Sequence, residues 1–202
     1  ASMYKCFNSN LLFHGCVPLN EDGTLREVEL NGIKYSGRNL YDVLEYYARK
    51  GFYRQKEDTD YTYGRDILWY IWSNENSPVY GKEKMATFER YFLSDHALHE
   101  EKKDYYYKLI EEDEVVTRIL NDFGLHSPEA KIINGHMPVK KNESPMKCGG
   151  RALIIDGGFS KAYHSTTGIA GYTLVFNSNE IKLIAHEEFV SKEYAVEHET
   201  DI

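Results

Sequence analysis

Lys131-Ile132-Ile133-Asn134-Gly135-His136-Met137-Pro138-Val139 joins a short apolar run to a turn and then to a histidine. The run reads as a buried strand, and Asn-Gly is a strong turn signal. His136 therefore falls on a loop at the rim of a sheet, and Pro138 fixes φ so that the strand does not resume at once. A histidine held this way is suited to bind a metal, because neutral imidazole is the commonest metal ligand. The competing reading is an ordinary loop histidine.

The same grammar recurs in Asn10-Leu-Leu-Phe-His-Gly-Cys-Val-Pro18. Leu11, Leu12 and Phe13 read as a strand, and His14 follows it directly. Gly15 then lets the backbone turn away and permits close approach of a ligand or ion. Two strand-to-loop junctions that each pair a histidine with a glycine are more specific than either alone. The alternative is two histidines unrelated in space.

Between the junctions the periodicity changes. Arg26–Leu30 and Ile33–Tyr35 alternate about Asn31-Gly32, which predicts a hairpin with a type I′ turn; it is read as an appendage without obvious chemistry. Leu40, Val43, Leu44, Tyr47 and Ala48 share one helical face, with Gly51 as the stop. Asp66–Trp72 is a short aromatic helix broken by Ser73–Pro78, and Met85, Phe88 and Phe92 lie on one face of another. Glu100–Phe123 is the longest predicted helix, with Leu109, Val116, Ile119, Leu120 and Phe123 as its apolar stripe and Gly124 as its cap. His96 and His99 stand near its start in an acidic, lysine-rich stretch and read as a solvated face rather than a metal site.

Beyond His136 come a polar loop at Lys140–Pro145 and a strand at Arg151–Ile155 ending in Asp156-Gly157-Gly158. A loop of small residues containing Lys161 runs to Gly171, and Tyr172–Phe176 pairs with Ile181–Ala185 as a hairpin. The charged tail, 190–202, is expected to fray. The class is α/β in content and α+β in the order of its elements, with a helical block at about 38–125.

At 202 residues the chain is one large domain or one and a half small ones, and with 42% hydrophobic residues it can bury a core of its own. A net charge of −8 and a pI near 5.5 argue against a nucleic-acid partner. No apolar run approaches the ~18 residues of a membrane span. Cys6, Cys16 and Cys148 are too few and too scattered for a disulfide framework or a zinc knuckle, which points to a reducing cytoplasm. The 17 tyrosines are read as packing and helix-surface residues. Ala1-Ser2-Met3 is set apart as an expression scar.

Leu11-Leu-Phe-His-Gly-Cys-Val-Pro18, Thr87-Phe-Glu-Arg-Tyr-Phe92, Ile132-Ile-Asn-Gly-His-Met-Pro-Val-Lys140 and Ile155-Asp-Gly-Gly-Phe-Ser-Lys-Ala-Tyr163 together resemble one family. It is the class III fructose-1,6-bisphosphatases of Firmicutes and Bacteroidetes type, a branch of the calcineurin-like metallophosphoesterases. The resemblance runs from Tyr4 to at least Phe189, with the motifs in the family's order. Met137 departs from the threonine of wider versions of its motif.

The resemblance implies a β-sandwich flanked by helices, with 4–202 as the C-terminal portion of a metallophosphoesterase domain. It implies that His14 and His136 are metal ligands of a dinuclear manganese site that activates water against a phosphoryl group. Asp156 would be an acceptor that orients a histidine, or else a turn-forming aspartate. Arg151 and Lys161 would grip the sugar phosphates, or else be surface cations. Cys16, two residues from His14 with no base in view, is ranked as packing.

The superfamily's Asp-x-His, Gly-Asp-x-x-Asp-Arg-Gly and Gly-Asn-His-Glu motifs are absent from these residues. The expectation is therefore an N-terminal portion of the same polypeptide as partner, a small sugar bisphosphate as substrate in gluconeogenesis, and no activity from this stretch alone. An apolar sheet face left open by the missing portion would favour a homo-oligomer. Two other functions fit the same histidines: a metallophosphoesterase for another ester, such as a phosphoprotein, and a non-catalytic ligand-sensing or assembly module.

Overall fold

Tyr4–Phe7 (β1) and Asn10–Phe13 (β2) form an antiparallel hairpin whose turn residues Asn8 and Ser9 both have positive φ. The computed structural model describes residues 2–53, 59–140, 143–157, 171–177, 180–186 and 190–198. They fall into two units, Ala1–His136 with Met146–Leu153, and Met137–Pro145 with Ile154–Ile202. Lys161 lies outside the described residues, as does most of the loop that contains it.

In the first unit the hairpin Val28–Leu30 (β3) and Ile33–Tyr35 (β4) closes through Asn31 and Gly32, both at positive φ as a type I′ turn requires. It is more than an appendage. Val28 and Leu30 are buried with Leu40, Leu44 and Ile67 in a small core of their own. Leu40 and Leu44 come from Gly37–Tyr53 (α1) and Ile67 from Thr59–Ser73 (α2). The first of these helices runs past Gly51, because that residue serves packing rather than termination. A Cβ on Gly51 would lie 2.3 Å from the Gly64 backbone, so the two helices touch main chain to main chain.

The long helix predicted over Glu100–Phe123 is absent. Thr87–Phe92 (α3) is followed by a single 3-10 turn at His96–His99, then Tyr106–Leu109 (α4) and Asp113–Asp122 (α5). Asp104 explains the break: its buried carboxylate accepts from the Leu19 and Tyr106 amides and pairs with Arg26 at 3.0 Å. A side chain that satisfies turn amides competes with helix continuation at that point. Gly124 caps α5 as expected, with Leu125 N–H reaching Leu120 O and Gly124 N–H reaching Asn121 O, a Schellman pair.

Lys131–Asn134 (β5) lies parallel to β2, with Leu11 opposite Ile132 and Phe13 opposite Asn134. Met146–Lys147 (β6) and Ala152–Ile154 (β7) complete a five-stranded sheet in the order β1-β2-β5-β7-β6. Leu11, Phe13 and Ile132 project from one face into the main core, against Val115, Val116, Ile119 and Leu120 of α5. Tyr41 sits fully buried among them, edge-on to Tyr4, Phe13 and Phe123, and its hydroxyl donates to Cys16 O at 2.8 Å. Tyr41→Phe keeps the ring but orphans that carbonyl. It is expected to lower stability by about 1–2 kcal/mol, read as a lower urea midpoint with unchanged slope.

On the opposite face Leu12 is half-buried and Ile133 is 4% exposed, whereas Phe7 of β1 and Met146 of β6, on the two edge strands, are exposed. Large apolar side chains also stand exposed on the helices: Phe52, Trp69, Trp72, Phe88 and Phe92. Ser2 and Met3 are also engaged, both donating to the Glu45 carboxylate at 2.7 Å. In the second unit Tyr172–Phe176 (β8) and Ile181–Ala185 (β9) form the predicted antiparallel hairpin, and Lys192–Glu197 (α6) is a short helix within the tail expected to fray. None of the helices among the described residues is long and apolar enough to cross a membrane.

Candidate metal centre

The parallel pairing of β2 with β5 brings both histidine loops to one end of the sheet. Side chains that follow Phe13 and Asn134 leave neighbouring strands side by side, and His14 Nε2 lies 3.1 Å from His136 Nδ1. Their rings are edge to face at 4.9 Å. Asn134, 2% exposed, ties the loops together by donating through Nδ2 to Gly15 O at 3.0 Å.

His136 has φ +81°, a left-handed conformation uncommon outside glycine. Such strain costs about 1–3 kcal/mol and persists only where its surroundings enforce it. One enforcing contact is visible. His136 Nε2 lies 3.1 Å from Tyr80 O, and a carbonyl only accepts, so Nε2 carries the proton. In the neutral ring Nδ1 is then an acceptor aimed at His14, whose Nε2 donates to it. A metal-binding histidine whose second ring nitrogen donates to a carbonyl is a recurrent arrangement.

The spacing suits one ion. Two imidazole nitrogens at ~2.1 Å from a common metal lie roughly 3.0–3.4 Å apart for bond angles between 90° and tetrahedral. The His14–His136 separation falls within that interval. Among the described residues no group of three or more His, Cys, Asp or Glu is gathered to hold a metal. Two imidazoles thus fit part of a coordination sphere, and a hard divalent ion needs carboxylate or other oxygen ligands besides.

Arg151, another sequence candidate, lies away from the pair. Arg151 O accepts from Ile132 N–H, which sets Arg151 beside the start of β5, four residues before His136. At 3.3 Å per residue that is roughly 13 Å from the histidine pair. Its guanidinium is engaged by the Asp113 carboxylate and by Thr117 Oγ1 at 2.8 Å, so it fastens α5 to the sheet. Asp156 accepts from the amide of the adjacent Gly157 at 2.9 Å. Cys16 is fully buried, and burial pushes its thiol well above the ordinary range, as befits packing.

Sequence reasoning missed the third partner. Pro78 O accepts from Cys16 N–H at 2.8 Å, and Tyr80 O receives His136. Ser73–Pro78 announced only a helix break, since no residue type signals which carbonyl faces a distant ring.

A family model described as Firmicute fructose-1,6-bisphosphatase matches residues 1–202. A protein of Clostridium acetobutylicum named fructose-1,6-bisphosphatase class 3 is 52% identical over 203 residues, covering 100% of this chain and 30% of that protein. A protein of the same name from Clostridium botulinum is 49% identical over 203 residues, 100% of this chain and 31% of its own length. Another from Staphylococcus aureus is 51% identical over 194 residues, 95% of this chain and 29% of its own length. The chain thus spans about a third of the length of these curated relatives. No solved structure matches it. A match along the whole chain, with relatives near half identity, decides the lineage: this chain belongs to the Firmicute fructose-1,6-bisphosphatase family.

Proposed function

We propose that the chain supplies two imidazole ligands, His14 and His136, to the metal centre of a fructose-1,6-bisphosphatase of metallophosphoesterase type. The observation that carries this is the His14 Nε2 to His136 Nδ1 separation of 3.1 Å, with the His136 proton committed to Tyr80 O. The relatives' name, fructose-1,6-bisphosphatase, supports a sugar bisphosphate as the substrate class, and gluconeogenesis in the cytoplasm is the setting proposed with it. Manganese is the proposed ion. When bound, such an ion would polarise phosphoryl oxygens and lower the pKa of water so that, on losing a proton, it could attack phosphorus as hydroxide.

The chain's own residues prepare that chemistry rather than perform it. His136 offers Nδ1 because its other nitrogen is held as a donor, and His14 faces the same point from the next strand. His14 would offer its Nε2 lone pair only once that nitrogen's proton has moved to the ring's own Nδ1, so binding would replace the hydrogen bond between the two rings while both stay neutral. The carboxylates that a hard ion needs are proposed to come from the rest of the polypeptide, which makes this portion insufficient for catalysis by itself.

Metal content of the purified full-length protein tests the reading. His14→Ala is expected to retain about 10-fold less manganese than wild type after dialysis, in keeping with the loss of a ligand from the centre. Unchanged metal content and unchanged phosphate release from fructose 1,6-bisphosphate would favour a non-catalytic module instead.

A further inference from the structure

The turn at residues 77–81 touches both histidine loops, and its centre is a buried serine. Ser77 is 0% exposed. Its hydroxyl donates to Ile71 O in the last turns of α2 at 2.6 Å and accepts the amides of Val79 and Tyr80 at 3.2 and 3.4 Å. Its own carbonyl accepts from Gly81 N–H at 3.1 Å, and its amide donates to Asn74 O at 2.9 Å. Five contacts therefore fix the path of one tight turn.

That turn spends its outward carbonyls on the site. Pro78 O accepts from Cys16 N–H, two residues after His14, and Tyr80 O receives the Nε2 proton of His136. The two acceptors belong to residues two positions apart, so a change in the turn moves both histidines together. The Ser77 hydroxyl is the one side chain in this turn that binds α2 and the Tyr80 amide at once.

We propose that Ser77 is a positioning residue for the metal centre: through the 77–81 turn it aims the Tyr80 carbonyl that holds His136 with Nδ1 turned toward His14. The proposal rests on the reading of the two histidines as metal ligands. The Ser77 side chain itself touches neither histidine; it acts on the tautomer and orientation of His136 by way of main chain. Without the hydroxyl, the turn loses its tie to α2 and its hold on the Tyr80 amide. The Tyr80–Gly81 peptide keeps its Gly81 N–H bond to Ser77 O, but with the hydroxyl gone the turn aims the Tyr80 carbonyl less closely, and His136 is held less firmly in one tautomer.

The test uses the full-length protein and reads the Mn²⁺ concentration that half-saturates phosphate release from fructose 1,6-bisphosphate, beside manganese retained after dialysis. Ser77→Ala is expected to raise the half-saturating concentration about 10- to 100-fold, the range typical of losing a contact that orients a ligand. Turnover at saturating manganese is expected to fall much less. Ser77→Cys, similar in volume with a weaker donor and acceptor, is expected to give an intermediate shift. A lower unfolding temperature with unchanged half-saturation and retention in Ser77→Ala would overturn the proposal by showing a purely structural role. Should the alanine variant not fold, wild-type half-saturation in Ser77→Cys overturns it equally. His136→Ala run in parallel separates the two ideas: wild-type manganese retention there defeats the ligand assignment itself, before any role for Ser77 is judged.

Discussion

His136→Gly in the full-length protein is expected to lower phosphate release by at least about 100-fold while changing unfolding free energy by less than about 1 kcal/mol. The two halves of that result have separate causes. On the proposed ligand assignment, removing the imidazole removes one ligand nitrogen as well as the contact to Tyr80 O, which would forfeit several kcal/mol of metal-centred stabilisation at the transition state. The backbone moves the other way. At φ +81° an L side chain costs about 1–2 kcal/mol that glycine does not. That relief is offset by about 0.5–1 kcal/mol of extra chain entropy in the unfolded state and by the lost hydrogen bond.

The alanine variant distinguishes strain from ligation. His136→Ala loses the same nitrogen but keeps the left-handed Cβ, so it is expected to be about 1 kcal/mol less stable than His136→Gly with equally low turnover. Urea unfolding of the pair, beside phosphate release, reads both quantities. A glycine variant that retains turnover within threefold of wild type would remove His136 from the site. Equal stability of the two variants would show that the positive φ stores no strain.

What could be read in the sequence was whatever depended on local pattern. The two apolar runs before His14 and His136 are strands because they are short, apolar and closed by turn residues, and the pairing of their histidines follows from parallel neighbours. The β8–β9 hairpin and the Gly124 cap were legible for the same reason. Elements fixed by distant partners were not. Asp104 interrupts an amphipathic run because Leu19 and Arg26, far away in sequence, meet its carboxylate. Gly51 looked like a helix end because the backbone of Gly64 against it carries no sequence signal. Arg151 looked available to phosphate until Asp113 and Thr117 were seen around it. Exposure was equally hidden: Trp69, Trp72, Phe88 and Phe92 are residues that usually pack, and here they face outward.

Gly15→Ala is expected to be the most damaging single-methyl change near the site, at about 3–5 kcal/mol of stability, with metal retention lost alongside. Three constraints converge on this residue. Its φ of +88° costs any L side chain about 1–2 kcal/mol. A Cβ there would stand 2.1 Å from Pro78 O and 3.1 Å from Pro78 C, which are main-chain atoms that cannot rotate aside. Its carbonyl accepts from Asn134, so any retreat of the loop from Pro78 also pulls on the strand that ends at His136. The 77–81 turn cannot yield in turn without breaking the contact between Cys16 N–H and Pro78 O. A methyl at position 15 must therefore separate the His14 loop from the turn, and with it His14 from His136. Gly15→Ala with wild-type urea midpoint and manganese retention would mean that the close approach of Gly15 to Pro78 is not what holds the two loops together.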